Sequence, residues 1–253
     1  MDYQHLQIVQ EGDVLWATMN RPESLNALNR ALVEELRDFF VGLYWRHEIR
    51  VVVLSGAGAN FCAGLDLKEP RGNQPRTVSA GLISQRQISE IVIAMRRCPQ
   101  PIIALMDGAA SGGGFALALA SDVRIATPTL KMNAAFIKIG LSACDIGVSY
   151  FLPRMVGSSV AAELMLTGRF LRAERALALG VVSAVVEPHM LEAEARQLLD
   201  EMLRTTPLGL RLTKEALNHA IDAQGLEAQI ALEDRNQILC AQGEDFEIGR
   251  AHV

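Results

Sequence analysis

The sequence lacks the features that mark several large classes of protein. No uninterrupted apolar stretch approaches the roughly 20 residues needed to cross a bilayer. The amino terminus, Met1-Asp2-Tyr3-Gln4-His5, has neither the basic nor the apolar region of an export signal. No run of lysines or arginines stands out and the formal net charge is -5, so the electrostatic footprint of a nucleic-acid binder is absent. The four cysteines, Cys62, Cys98, Cys144 and Cys240, include no C-x-x-C pair, which points to reduced thiols in a cytoplasm. His5, His47, His189, His219 and His252 are scattered with no pair at metal-ligand spacing, so neither a metal nor a separate cofactor is expected.

What remains is a chain of 253 residues, half of them apolar and 21% charged, which is the balance of an ordinary globular protein with one sizeable core and a smaller appendage. Strand-like runs at Leu6 to Val9 and Val14 to Met19 flank Glu11-Gly12-Asp13, a composition that suits a hairpin turn. Leu32, Leu36, Phe39, Phe40 and Leu43 share one helical face. Val51 to Leu54, closed by Ser55-Gly56, predicts a strand buried on both faces. The pattern returns as a helix marked by Ile88, Ile91, Val92 and Met95 and a second buried strand, Ile102 to Met106. A third strand is expected at Val123 to Ala126, with helices near Val160 to Leu166 and Ala173 to Leu179. This is repeated β then α wiring, an α/β fold. From about Pro188 the signal is helical: a stripe of Leu191, Ala195, Leu198, Leu199 and Met202, then Leu208 to Ile221 and Leu226 to Leu239. The expected division is a core over residues 1–187 and a helical region over 188–253 through which subunits associate.

Two glycine-rich stretches follow the buried strands. Gly56 to Asp66 ends in Ala63-Gly64-Leu65-Asp66, where small side chains let a ligand approach the main chain. A plain surface turn would have the same composition. Gly108 to Phe115 carries Gly112-Gly113-Gly114 ahead of an alanine-rich helical segment, and N–H groups at a helix start lack intrahelical partners and can hold an oxyanion. Tight helix-to-sheet packing is the competing explanation. Neither a phosphate P-loop nor a dinucleotide fingerprint is present.

Asn20 to Leu28, Ala63-Gly64-Leu65-Asp66, the triple glycine followed by Ala120-Ser121-Asp122, and Tyr150-Phe151-Leu152-Pro153-Arg154 together resemble the enoyl-CoA hydratase/isomerase (crotonase) superfamily. Leu166 to Leu171, Ala176 to Gly180 and Leu212 to Leu217 extend the resemblance over nearly the whole chain. It implies a spiral of repeated ββα units with a carboxy-terminal helical region, assembled as a homotrimer or hexamer. The implied ligand is an acyl-CoA thioester, with coenzyme A part of the substrate. Its oxygen would sit between the N–H groups of Leu65 and Gly113, and Ala63, Gly64, Asp66 and Gly112 would shape the pocket.

The pattern breaks at two positions. Water-adding members resemble one another in carrying two glutamates, and this sequence has Ala116 and Phe136 in their places. Hydration needs a base for the water and an acid for the carbon, and neither residue supplies one. Asp145 stands close to where isomerase-type and dehalogenase-type relatives place an aspartate. In an apolar pocket its pKa would rise, suiting it to move a proton between carbons; alternatively it caps a helix starting near Ile146. Packing is expected of Cys62 and Cys144. Lys68, Arg71, Arg76 and Lys138 could meet CoA phosphates or be solvated surface charges. The expected activity is therefore isomerisation of an unsaturated acyl-CoA, with a non-catalytic acyl-CoA carrier or an atypical hydratase as alternatives.

Overall fold

The computed structural model describes residues 3–69 and 77–243; Arg71, Arg76 and His252 lie outside them. The chain opens with an antiparallel hairpin of β1 (Leu6–Glu11) and β2 (Val14–Met19), in which Glu11 pairs with Val14. The two-residue turn between them places Gly12 at φ +57°, a conformation that glycine adopts without steric cost. Helix α1 (Arg30–Leu43) then buries Leu32, Leu36, Phe39, Phe40 and Leu43, the predicted stripe. Its first turn is capped by the Asn29 side chain, which accepts from the Leu32 N–H at 2.9 Å.

Strand β3 (Val51–Gly56) runs parallel to β2, helix α2 (Val78–Arg97) follows, and β4 (Ile102–Met106) lies parallel to β3. Only the carboxy-terminal half of α2 reaches the core, through Ile91, Val92, Ala94 and Met95. The next unit is β5 (Ala109–Ser111), α3 (Gly113–Ala120) and β6 (Val123–Ala126). It is followed by β7 (Lys131–Asn133), a 3-10 turn at Ala135–Ile139, and the helices α4 (Val148–Val156) and α5 (Ser158–Thr167). Strand β8 (Leu171–Arg172), α6 (Ala173–Ala178) and β9 (Ala184–Val185) complete the core wiring. The main sheet has the order β1-β2-β3-β4-β6-β9, parallel after its first pair.

Side chains alternate across this sheet, so each central strand serves two cores. Val52, Leu54, Ile102, Ala104 and Met106 face α1, α2 and α3. Val51, Val53, Ile103, Leu105 and Ile125 face the other way and are covered by Ala195 and Leu199 of α7 (Leu191–Leu203). Both faces being buried accounts for the unbroken apolar runs in β3 and β4. Helix α8 (Pro207–Ala220) places Lys214 almost wholly out of water. Its ammonium donates to the carbonyls of Met95 at 2.9 Å and Gln100 at 2.7 Å and pairs with Asp122 at 3.0 Å. Arg96 binds the other Asp122 oxygen at 2.8 Å, so the two cations share one carboxylate. Helix α9 (Leu226–Ala241) lies against α8 and buries none of its side chains.

The piece of chain following each main strand builds a second, smaller layer. Leu28 bridges Leu65, Cys62 bridges Ala110, and β5 pairs with β7, every contact parallel. Successive units thus stack like turns of a spiral, and short strands sequence periodicity cannot register, such as β5 and β7, are rungs of that stack.

Candidate active site

The stacking places the two glycine loops side by side. Cys62 N–H donates to Ala109 O at 2.9 Å and Ser111 N–H returns to Cys62 O at 2.9 Å. On the opposite edge, Leu28 N–H donates to Gly64 O at 2.7 Å and Asp66 N–H to Leu28 O at 3.0 Å. Residues 62–66 are therefore zipped between neighbouring rungs. Gly64 has φ +91°, and a Cβ there would sit 2.6 Å from Ser111 O and 3.2 Å from the Gly113 nitrogen. Only glycine lets the two loops come this close. Gly112, at φ +51°, turns the chain into α3 and is held by donating to Asn133 O at 2.9 Å.

This packing leaves two donors without acceptors. Among the described residues no carbonyl accepts from Leu65 N–H, because the bridge to Leu28 uses the groups of Gly64 and Asp66. Gly113 N–H opens α3, where no preceding turn offers an acceptor and the helix dipole favours negative charge. Both residues line one pocket of about 110 Å³, along with Ala63, Gly64, Gly112, Phe136 and Asp145.

The rest of the pocket wall is Leu28, Leu67, Gln85, Ile88, Ala135, Ile139, Leu141 and Ile146. Asp145 is the one titratable side chain on this wall among the described residues. Its Oδ1 accepts from Gln85 Nε2 at 2.6 Å and from Ile146 N–H at 2.8 Å, while Oδ2 has no partner among the described residues. Burial pushes the Asp145 carboxyl above the usual aspartate range, against the opposing pull of those two hydrogen bonds. The side chain does not cap α4: the residue at that helix start is Gly147, and no side chain fills the role. Ile146 and Gly147 both have positive φ, +35° and +94°. For a β-branched residue that conformation costs on the order of 1–3 kcal/mol and is held by the Ile146 side chain, buried against Leu28 and Gly113.

Two expected site residues, Asp66 and Ala116, stand elsewhere. The Asp66 side chain turns into the neighbouring cleft and binds Arg21 at 2.9 Å. Although burial opposes it, Arg21 and the Lys68 N–H hold that carboxyl below its ordinary range. Ala116 is fully buried inside α3 and is not among the residues that line the pocket. Cys144, expected to pack, is exposed. Cys62 is wholly buried and its thiol is pushed up to about 12 by burial, as a packing residue rather than a nucleophile should be. Lys68 and Lys138 are both exposed, Lys68 at the cleft beside Arg21. Gln85 was not among the expected residues. Its signal is positional: it falls three residues before Ile88 and seven before Val92, a polar group in register with an apolar stripe.

With the fold and pocket described, comparison with known proteins is direct. The chain matches the Enoyl-CoA hydratase/isomerase family over residues 10–252 and belongs to that family. The Mycobacterium leprae protein named "Probable enoyl-CoA hydratase echA12" is 38% identical over 233 residues, 90% of this chain and 79% of the relative. The Escherichia coli 1,2-epoxyphenylacetyl-CoA isomerase is 35% identical over 248 residues, 96% of this chain and 92% of the relative. A Thermobifida fusca structure solved in complex with CoA superposes with a TM-score of 0.85 at 30% identity, covering 93% of this chain and 92% of that one. Relatives of near-equal identity thus bear both hydratase and isomerase names.

Proposed function

We propose that this protein isomerises an unsaturated acyl-CoA, moving its double bond by proton transfer between carbons. The observation that carries the reading is the pocket wall itself: one carboxyl group, Asp145, shares it with two main-chain donors, Leu65 and Gly113, that have no acceptor among the described residues, and no second acid or base lines it there. The thioester carbonyl accepts from both N–H groups. Ionised Asp145 removes a proton from the carbon next to that carbonyl, and the electron pair moves onto the thioester oxygen. The two fixed donors stabilise the developing charge without reorganising, each contributing about 3 kcal/mol in the transition state. The protonated Asp145 returns the proton two carbons further along, and the double bond comes to rest beside the thioester. One group acting in turn as base and acid suffices for this sequence, whereas adding water asks for a base and an acid at the same time. The CoA complex of the Thermobifida fusca relative supports the choice of thioester.

The test is incubation with a panel of 2-enoyl- and 3-enoyl-CoA esters in oxygen-18 water, followed by mass and double-bond analysis and binding calorimetry. Migration of the double bond without label is the expected result. Incorporation of label would overturn the isomerase reading in favour of hydration. Tight binding with every ester unchanged would make the protein a carrier.

A further inference from the structure

We infer that Gln85 is a positioning residue for Asp145: its side-chain amide, donating to Oδ1, fixes which carboxylate oxygen is presented for proton transfer. This rests on the reading of Asp145 as the proton shuttle. The geometry is specific. Oδ1 is taken by two donors, Gln85 Nε2 at 2.6 Å and Ile146 N–H at 2.8 Å, and the free lone pairs are concentrated on Oδ2. The donors come from separate elements, one from α2 and one from the strained turn before α4, so the carboxyl plane is held from two directions. Gln85 is itself on the pocket wall, in the half of α2 that contributes nothing to the core, and the hydrogen bond spans 60 residues of chain.

The chemical type of the donor matters. An arginine or lysine in this place would stabilise the carboxylate strongly and weaken it as a base, as Arg21 does for Asp66. A neutral amide orients the group while adding no charge. The other residues lining the pocket are uncharged, and no charged group contributes to the shift at Asp145, which comes from burial, the Ile146 N–H and Gln85. Arg86 and Glu90 on α2 and Lys138 on the 3-10 turn are charges on elements that line the pocket and are absent from that balance.

The experiment titrates the Asp145 carboxyl by carbon-13 NMR, assigned through Asp145→Asn, in wild type, Gln85→Leu and Gln85→Glu, and measures kcat and KM against pH on 3-hexenoyl-CoA. Removing a donor from the ionised form raises the pKa, and a nearby second carboxylate raises it further, so the expected order is wild type, then Leu, then Glu. Gln85→Leu should lower kcat about tenfold on the acid side, the change that one pKa unit gives in the ionised fraction. Its KM should stay within about twofold, and it should add no loss on an Asp145→Asn background. A merely structural contact would not produce that order. If Asp145 titrates identically in wild type and Gln85→Leu, the inference is overturned. If instead Asp145→Asn keeps full turnover, the shuttle reading fails. The titration needs no turnover and decides the Gln85 contact whichever ester the protein accepts.

Discussion

The two sides of the pocket are made from different materials. One side is main chain: residues 63–65 and Gly112-Gly113, locked by ladder hydrogen bonds and by Gly64, where a Cβ would meet the Ser111 carbonyl. The rest of the lining is side chain, including Gln85, Ile88, Phe136, Ile139, Leu141 and Asp145, from α2, a 3-10 turn and the loop before α4. The first side offers the N–H groups of Leu65 and Gly113, for which no acceptor is found among the described residues. The second side holds Asp145, the one titratable group on the wall among the described residues, and in the proposed function that group moves the proton. On the proposed function, recognition of the thioester and choice of reaction would fall to different parts of the pocket.

Substitutions on each side sharpen that separation, beginning with the largest effect. Asp145→Asn should reduce isomerisation by about 10²–10⁴-fold, the usual contribution of a general acid-base group, while calorimetry shows acyl-CoA binding intact. Lys214→Met leaves Asp122 with Arg96 as its cation and removes one of the ties from α8 to the end of α2, the bond from Asn218 to Arg96 O remaining. It should cost about 3–5 kcal/mol, read as a lowered urea midpoint. Gly64→Ala strikes the main-chain side: the new Cβ would meet Ser111 O and push the loops apart. A displacement of about 1 Å costs on the order of 100-fold in kcat/KM, here with the pH profile unchanged. The smallest effect is expected from Asn29→Ala, which removes the α1 cap beside Leu28 for about 1 kcal/mol of stability and little activity.

The pH dependence should come from the side-chain wall alone. Asp145 must be ionised to take a proton, and burial raises its pKa, so activity should fall as pH drops through a value above the ordinary aspartate one of 3.8. An acid limb below 3.8 in a stopped-flow profile would mean that the base lies elsewhere.

Much of the main-chain side was legible in the sequence, because a glycine at positive φ leaves a visible mark and because β3 and β4 are apolar on both faces. The side-chain wall was less so. Asp145 was found through the family resemblance, but whether it caps a helix depended on Gly147 being the residue at the start of α4. Gln85 is one polar residue among several along α2, and its partner is 60 positions away. Ile139 and Leu141 border a 3-10 turn whose side chains follow neither a helical nor a strand period. Asp66 lay in the right loop, yet its direction was set by Arg21, 45 residues earlier. Contacts of this range come from how the spiral stacks, which local pattern does not encode.

Because Leu65 and Gly113 contribute through their amides, substituting the Leu65 side chain leaves its donor in place. Drift on that surface is therefore tolerated as long as the glycines keep their backbone angles. On the proposed function, exchange of a few side chains in the pocket would change the reaction while leaving the main-chain donors in place. A fold with this arrangement is a natural starting point for laboratory evolution, and in this chain the place to randomise is the surface around Gln85, Phe136 and Asp145.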